Sequence, residues 1–133
     1  MDAADLELRN RIYREFVETG RPPDADPAAL RRLHGAHALV LDGRGRILML
    51  NPFSLVPTAH RVQAGGRWWY GSCAWDSLGI VAALGGEGGY ETSCADCAEP
   101  IALEVRGGDL RGGDPVFHLA VPAAHWWDDI VFT

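Results

Sequence analysis

The residues of this chain best suited to chemistry are its three cysteines, at positions 73, 94 and 97. Cys73 stands in the stretch GSCAWDSLGI, with Asp76 three positions further on, where an apolar segment takes on helical character. Residues three apart share a face of a helix, so this thiol and this carboxyl come within reach of each other. In the first turn of a helix, unpaired N–H groups and the positive end of the macrodipole favour a thiolate. A neighbouring aspartate can hold or deliver a proton. The pair also has a plain structural reading, a core thiol beside a carboxylate near a helix start. Residue types alone leave both readings open.

Cys94 and Cys97 form a single C-x-x-C motif in a turn between two strand-like segments, YETSCADC and PIALEVRGG. A structural zinc centre needs two more ligands at short spacing. His118 and His125 are seven positions apart, so local spacing does not complete one. A redox pair of the thioredoxin kind sits at a strand-to-helix junction, whereas this turn runs from strand to strand. Small residues filling a tight turn is the remaining reading. The aromatic groups Trp68-Trp69-Tyr70 and Trp126-Trp127, read as strand residues, point alternately to opposite faces, so each group sends a ring toward a pocket or the surface. Asp128 and Asp129 diverge for the same reason, which weakens a paired-carboxylate metal site.

The elements that must position these groups fall into two halves. LELRNRIYREFVETG has apolar residues at helical spacing and stops at Gly20. Asp26-Pro27 reads as a cap followed by proline at the first helical position of a short second helix, PAALRRLHG. HALVLDGRGRILMLNPF reads as a hairpin around Asp-Gly-Arg-Gly. Helix, helix and hairpin predict a small winged-helix-like unit over residues 1–55. Beyond it, PTAHRV and RWWYGS are strand-like around Gly65-Gly66, CAWDSLGIVAALGG is the one convincing helix, and PVFHLAVP and the closing DDIVFT read as strands. The fold expected is α+β, with the N-terminal unit followed over residues 56–133 by a mixed or antiparallel sheet with one main helix.

Composition narrows the function. The chain has 133 residues, 47% hydrophobic and 23% charged, as ordinary globular domains do. Its net charge is −6, and all 12 basic residues are arginine. Even residues 1–34 carry six Arg against seven Asp or Glu, so no basic surface suits nucleic acid. No apolar run reaches the roughly 18 residues of a membrane span, and the charged N-terminus lacks the core of a signal peptide. Three cysteines are too few for a disulfide scaffold. These features predict a cytoplasmic protein with neither a nucleic-acid nor a membrane partner.

The run NPFSLVPTAHRVQAGGRWWYGSCAWDSLGI resembles the alkylmercury (organomercurial) lyase family in its Pro-Thr-x-His-Arg-Val strand, its Gly-Arg-aromatic stretch and its Cys-Ala-x-Asp-x-Leu helix start. YETSCADCAEPIALEV is similar to the segment that follows in that family, and the N-terminal helices and hairpin to its front half. The resemblance implies cleavage of a carbon–mercury bond by protonolysis, without a cofactor. Cys73 then takes hold of the mercury, and Asp76 relays the proton and helps hold the metal. The implied partners are an organomercurial or Hg(II) and external thiols. Soft thiolates suit so soft a metal.

The family also uses a second catalytic cysteine, expected after a run such as HWWDDIVFT, and none stands there before Thr133. The expectation is that the sequence is truncated short of it or that the protein lacks it. The resemblance matches Cys94 to a structural cysteine and places no counterpart for Cys97; either could serve as a substitute thiol. Two alternatives stay open: a non-catalytic protein that binds Hg or another soft metal, and a repurposed relative that uses Cys73 on a different small molecule.

Overall fold

Local capping decides where the helices begin. In the computed structural model, which describes residues 1–132, the Asp2 carboxylate accepts from the Asp5 backbone N–H at 2.8 Å, and helix α1 runs Ala3–Thr19. Capping by Asp2 starts this helix three residues before the apolar periodicity does. Gly20 ends it with φ +79°, its N–H donating to the Phe16 carbonyl at 2.7 Å. Helix α2, Pro27–Gly35, opens with Asp26 accepting from the Ala29 N–H at 2.9 Å. The buried Asp5 carboxylate receives Arg32 from α2 at 2.9 Å, tying the two helices together.

The strands are β1 (Val40–Leu41), β2 (Ile47–Leu50), β3 (Phe53–Ser54), β4 (Arg61–Ala64), β5 (Arg67–Gly71), β6 (Gly88–Ser93), β7 (Pro100–Arg106) and β8 (Asp109–Arg111), with helix α3 (Ala74–Ala83) between β5 and β6. They form one sheet in the order β1-β2-β3-β5-β4-β6-β7-β8, and every pairing is antiparallel. The α+β class, with an antiparallel sheet and one main helix in the second half, is as the sequence predicts. The β4–β5 hairpin turns through Gly65 and Gly66, φ +57° and +76°. A two-residue turn with positive φ at both positions matches the twist of the strands it joins. That register sets Val62 opposite Trp69 and Ala64 opposite Arg67.

Strand alternation then sorts the side chains. Val62, Ala64 and Trp69 are buried, while Trp68 is 53% exposed. Trp69 meets Phe16 of α1 and Phe53 of β3 at ring-centroid distances of 5.4 and 5.1 Å, and Phe16 meets Phe53 at 5.3 Å. Around this aromatic group a single apolar cluster joins Ile12, Leu33, Leu50, Ile80, Val81 and Leu103. The N-terminal helices therefore share their core with the sheet and with α3.

Three expectations from the sequence are corrected. PVFHLAVP forms no regular element and pairs with no strand. The chain leaves β8 through Gly112 and Gly113, φ +104° and +137°, and a β-carbon on Gly112 would strike the Ala102 carbonyl, so this segment crosses back over β7 instead of laddering on the sheet edge. His125-Trp126-Trp127 lies in a 3-10 turn, Ala123–Asp128, and not in a strand. There the Trp126 indole donates to the Val121 carbonyl at 2.8 Å, and Trp127 stacks on His37 at 4.0 Å. Of the DDIVFT run, Asp128 closes that 3-10 turn, Asp129 is a bend and residues 130–132 are turn; Thr133, its last member, lies outside the described residues.

Phe16→Ala removes the ring through which α1 meets the sheet. It is expected to lower stability by about 3–5 kcal/mol. Because the core is shared, far-UV circular dichroism and tryptophan fluorescence in a denaturant titration should still report one coincident transition.

Candidate functional site

The site is built at the junction of β5 and α3. Strand β5 ends at Gly71, whose N–H donates to the His60 carbonyl at 3.0 Å and whose carbonyl accepts from the Thr58 hydroxyl at 2.8 Å. A β-carbon on Gly71 would overlap the Ser77 hydroxyl and lie 3.1 Å from Ser77 Cα, so only glycine lets the strand pass this close to the helix. Ser72 donates its N–H to the Pro52 carbonyl at 3.2 Å. The chain then enters α3 with Cys73 as its N-cap, in extended conformation.

Cys73 Sγ accepts from the Asp76 backbone N–H at 3.4 Å, and the Cys73 carbonyl accepts from the fully buried Ser77 hydroxyl at 2.8 Å. Sulfur is a weak acceptor, so a thiol caps this helix less well than serine or aspartate would. Burial, followed by the nearby Asp76 charge, raises the Cys73 thiol above its ordinary range, against the pull of the Asp76 backbone N–H. Burial likewise raises the Asp76 carboxyl, partly offset by hydrogen bonding with the Cys73 thiol. Each partner is thus held toward its protonated form.

Cys73 opens onto a cleft of about 470 Å³. Its floor is β6 and β7, through Tyr90, Thr92 and Leu103. One wall is Trp75, 63% exposed, which meets Phe117 of the crossing segment edge-on at 6.5 Å. His60 also faces the cleft, its Nδ1 2.7 Å from the Tyr90 hydroxyl and 3.4 Å from that of Thr92. Burial lowers His60 from its ordinary value and raises Tyr90, so both are neutral near pH 7. The result is an apolar cleft with a thiol at its base and no fixed charge beside it on the floor.

The structure brings Cys73 and Asp76 together, as their spacing predicts. Asp76 does not line the cleft, although its carboxyl hydrogen-bonds with Cys73. Cys94 lines the same cleft, and Cys97 is exposed outside it. Among the described residues no group of three or more His, Cys, Asp or Glu is placed to hold a metal ion. Sequence reasoning missed the His60–Tyr90 pair and the role of the segment Pro115–Val121 as a cleft wall. Thirty positions separate His60 from Tyr90, and only the β4–β6 pairing, with Val62 opposite Tyr90, joins them.

The sequence model of the alkylmercury lyase family, MerB, matches residues 53–133. Over 97 residues the chain is 30% identical to the alkylmercury lyases of Bacillus cereus and of Clostridium butyricum, which covers 73% of this chain and 43% of each relative. The chain therefore spans less than half the length of these curated relatives. Its fold is similar to that of a solved structure, the mercury-bound form of MerB2, with a TM-score of 0.67 at 20% identity over 84% of this chain and 60% of that one. Among the described residues no helix is long and apolar enough to cross a membrane.

Two outcomes test this geometry. At pH 7, iodoacetamide labelling followed by mass spectrometry should modify Cys94 before Cys73. Cys73 labelling should accelerate as pH rises through and beyond the ordinary thiol range, because only the thiolate reacts. Fastest labelling of Cys73 at neutral pH would contradict the buried, protonated thiol. Gly71→Ala forces β5 and α3 apart and should cost about 1–3 kcal/mol in thermal unfolding.

Proposed function

Since the chain belongs to the alkylmercury lyase family, we propose that it cleaves carbon–mercury bonds by protonolysis, with Cys73 holding the metal and Asp76 carrying the proton. In this reading residues 56–133 are the catalytic core, and residues 1–55 are a winged-helix-like unit packed against it. The observation that carries the proposal is a thiol, Cys73, at the base of an apolar cleft and hydrogen-bonded to the carboxyl of Asp76, which lies outside the cleft lining. The activity of the longer relatives is carried over here as part of the proposal.

The chemistry balances in three steps. An organomercurial cation, R–Hg⁺, meets the Cys73 thiol; the sulfur–mercury bond forms as the thiol proton passes to the Asp76 carboxylate. Burial raises the Asp76 carboxyl, which helps it keep that proton beside the bound metal. The proton then moves to the mercury-bound carbon, the carbon–mercury bond breaks with its electron pair going to the new C–H bond, and R–H leaves. Hg(II) remains on the Cys73 thiolate and the Asp76 carboxylate until external thiols exchange it away. Nothing is oxidised or reduced, and no cofactor is required. The thiolate suits the metal because both are soft, and Trp75, Phe117 and Leu103 offer the organic group an apolar surface.

The direct test is hydrocarbon release from a simple organomercurial in excess thiol, measured by gas chromatography. The expected result is release by the unaltered protein and none above the thiol-only background for Cys73→Ser. Asp76→Asn should slow release roughly 10²–10⁴-fold, the usual worth of a positioned proton donor. Equal release from Cys73→Ser and the unaltered protein sinks the proposal. Stoichiometric Hg(II) uptake without hydrocarbon would select the soft-metal binding protein instead. A covalent adduct of Cys73 with a mercury-free substrate would select the repurposed relative.

A further inference from the structure

The C-x-x-C turn is the motif that the proposed reaction leaves unused. It lies between β6 and β7, closed by two backbone hydrogen bonds: Cys94 N–H donates to the Glu99 carbonyl at 2.8 Å, and Ala98 N–H to the Cys94 carbonyl at 2.9 Å. Ala98, one residue past the second cysteine, adopts φ +60° and turns the chain back into β7. The strands on either side are paired up to Ser93 opposite Pro100, so the turn is clamped at its base. Cys94 and Cys97 are both free thiols. Cys94 and Asp96 reach the rim of the cleft that holds Cys73, whereas Cys97 is exposed on its outer side.

The spacing is that of half a four-cysteine metal centre. Zinc in such a centre requires four ligands, and among the described residues no third His, Cys, Asp or Glu joins the pair. Two thiolates alone suit a different class of ion: soft, thiophilic and content with few ligands. We propose that Cys94 and Cys97 form a two-thiolate chelate for a soft d10 cation such as Hg(II), separate from the Cys73–Asp76 pair and placed at the rim of its cleft. Binding displaces the two thiol protons to solvent and needs no oxidant or reductant. The Cys97 thiol and the backbone N–H groups of Cys97 and Asp96 are within hydrogen-bonding reach of the Cys94 sulfur, so the two sulfurs stand close together across the turn. The chelate does not depend on carbon–mercury cleavage, and its failure would leave that reading untouched.

The test uses the full chain carrying Cys73→Ser, reduced and then freed of reductant under anaerobic conditions, and titrated with HgCl₂. The expected result is one Hg(II) per chain, the thiolate-to-mercury absorption rising in the ultraviolet, and the loss of two free thiols per metal by a colorimetric thiol count. Alkylation with mass spectrometry should find Cys94 and Cys97 protected together. Adding Cys97→Ser, an exposed position whose effect on folding is checked by circular dichroism, should weaken Hg(II) retention against a competing monothiol roughly a hundredfold or more, the usual worth of a second tethered ligand. In the chain with Cys73 intact, Cys97→Ser should leave hydrocarbon release unchanged. Loss of a single thiol per metal, protection of Cys94 without Cys97, or equal retention with and without Cys97 would each overturn the chelate.

Discussion

Strand β5 and helix α3 meet at Gly71 with no room for a side chain between them, and the placement of Cys73 and the first turn of α3 follows from that contact. Once the strand is this close, the Ser77 hydroxyl is sealed from solvent and donates to the Cys73 carbonyl. That bond pins the first turn of the helix to the end of the strand. Gly71 is itself held at both its N–H and its carbonyl, by the segment Thr58–His60. On the other side Ser72 is anchored to Pro52, while Tyr13 of α1 donates to the Asn51 carbonyl at 2.9 Å. Cys73 is thus fixed by contacts reaching back to the first helix, although it lines an open cleft.

The same packing decides the protonation of the site. Burial disfavours charge whatever the group, so it raises Cys73, Asp76 and Tyr90 and lowers His60. All four shifts act in the same sense, against charge at the site. A helix N-terminus would by itself favour the thiolate. At Cys73 desolvation and the adjacent carboxylate outweigh it. Cys94 lies in the opposite regime: barely desolvated and surrounded by donors, it is shifted toward the thiolate. The two thiols on one cleft are thus shifted in opposite directions, Cys73 by burial and Cys94 by hydrogen bonds from backbone N–H groups.

The far wall of the cleft is made by residues outside any regular element. Pro115–Val121 carries apolar side chains, among them Val116 at 92% exposure, yet it makes no ladder with the sheet. Its position comes from Gly112 turning the chain over β7, from Phe117 against Trp75, and from the Trp126 indole holding the Val121 carbonyl. Few backbone hydrogen bonds secure it, which is the character of a segment that opens at low free-energy cost.

Read alone, the sequence determined whatever depends on neighbours along the chain. Asp26-Pro27 specified the start of α2, Gly65-Gly66 the β4–β5 turn, the stop at Gly20 the end of α1, and the three-residue spacing of Cys73 and Asp76 their meeting on one turn of helix. Capping, turn chemistry and helical period are local, so they are legible. Only the tertiary structure decided that Cys94 faces the cleft while Cys97 does not, and that His60 meets Tyr90 across β4 and β6. It also decided that an apolar run with strand composition becomes a cleft wall. Alternation marks a strand, but a strand exists only where another edge is free to pair with it, and which edge lies within reach is a property of the whole fold.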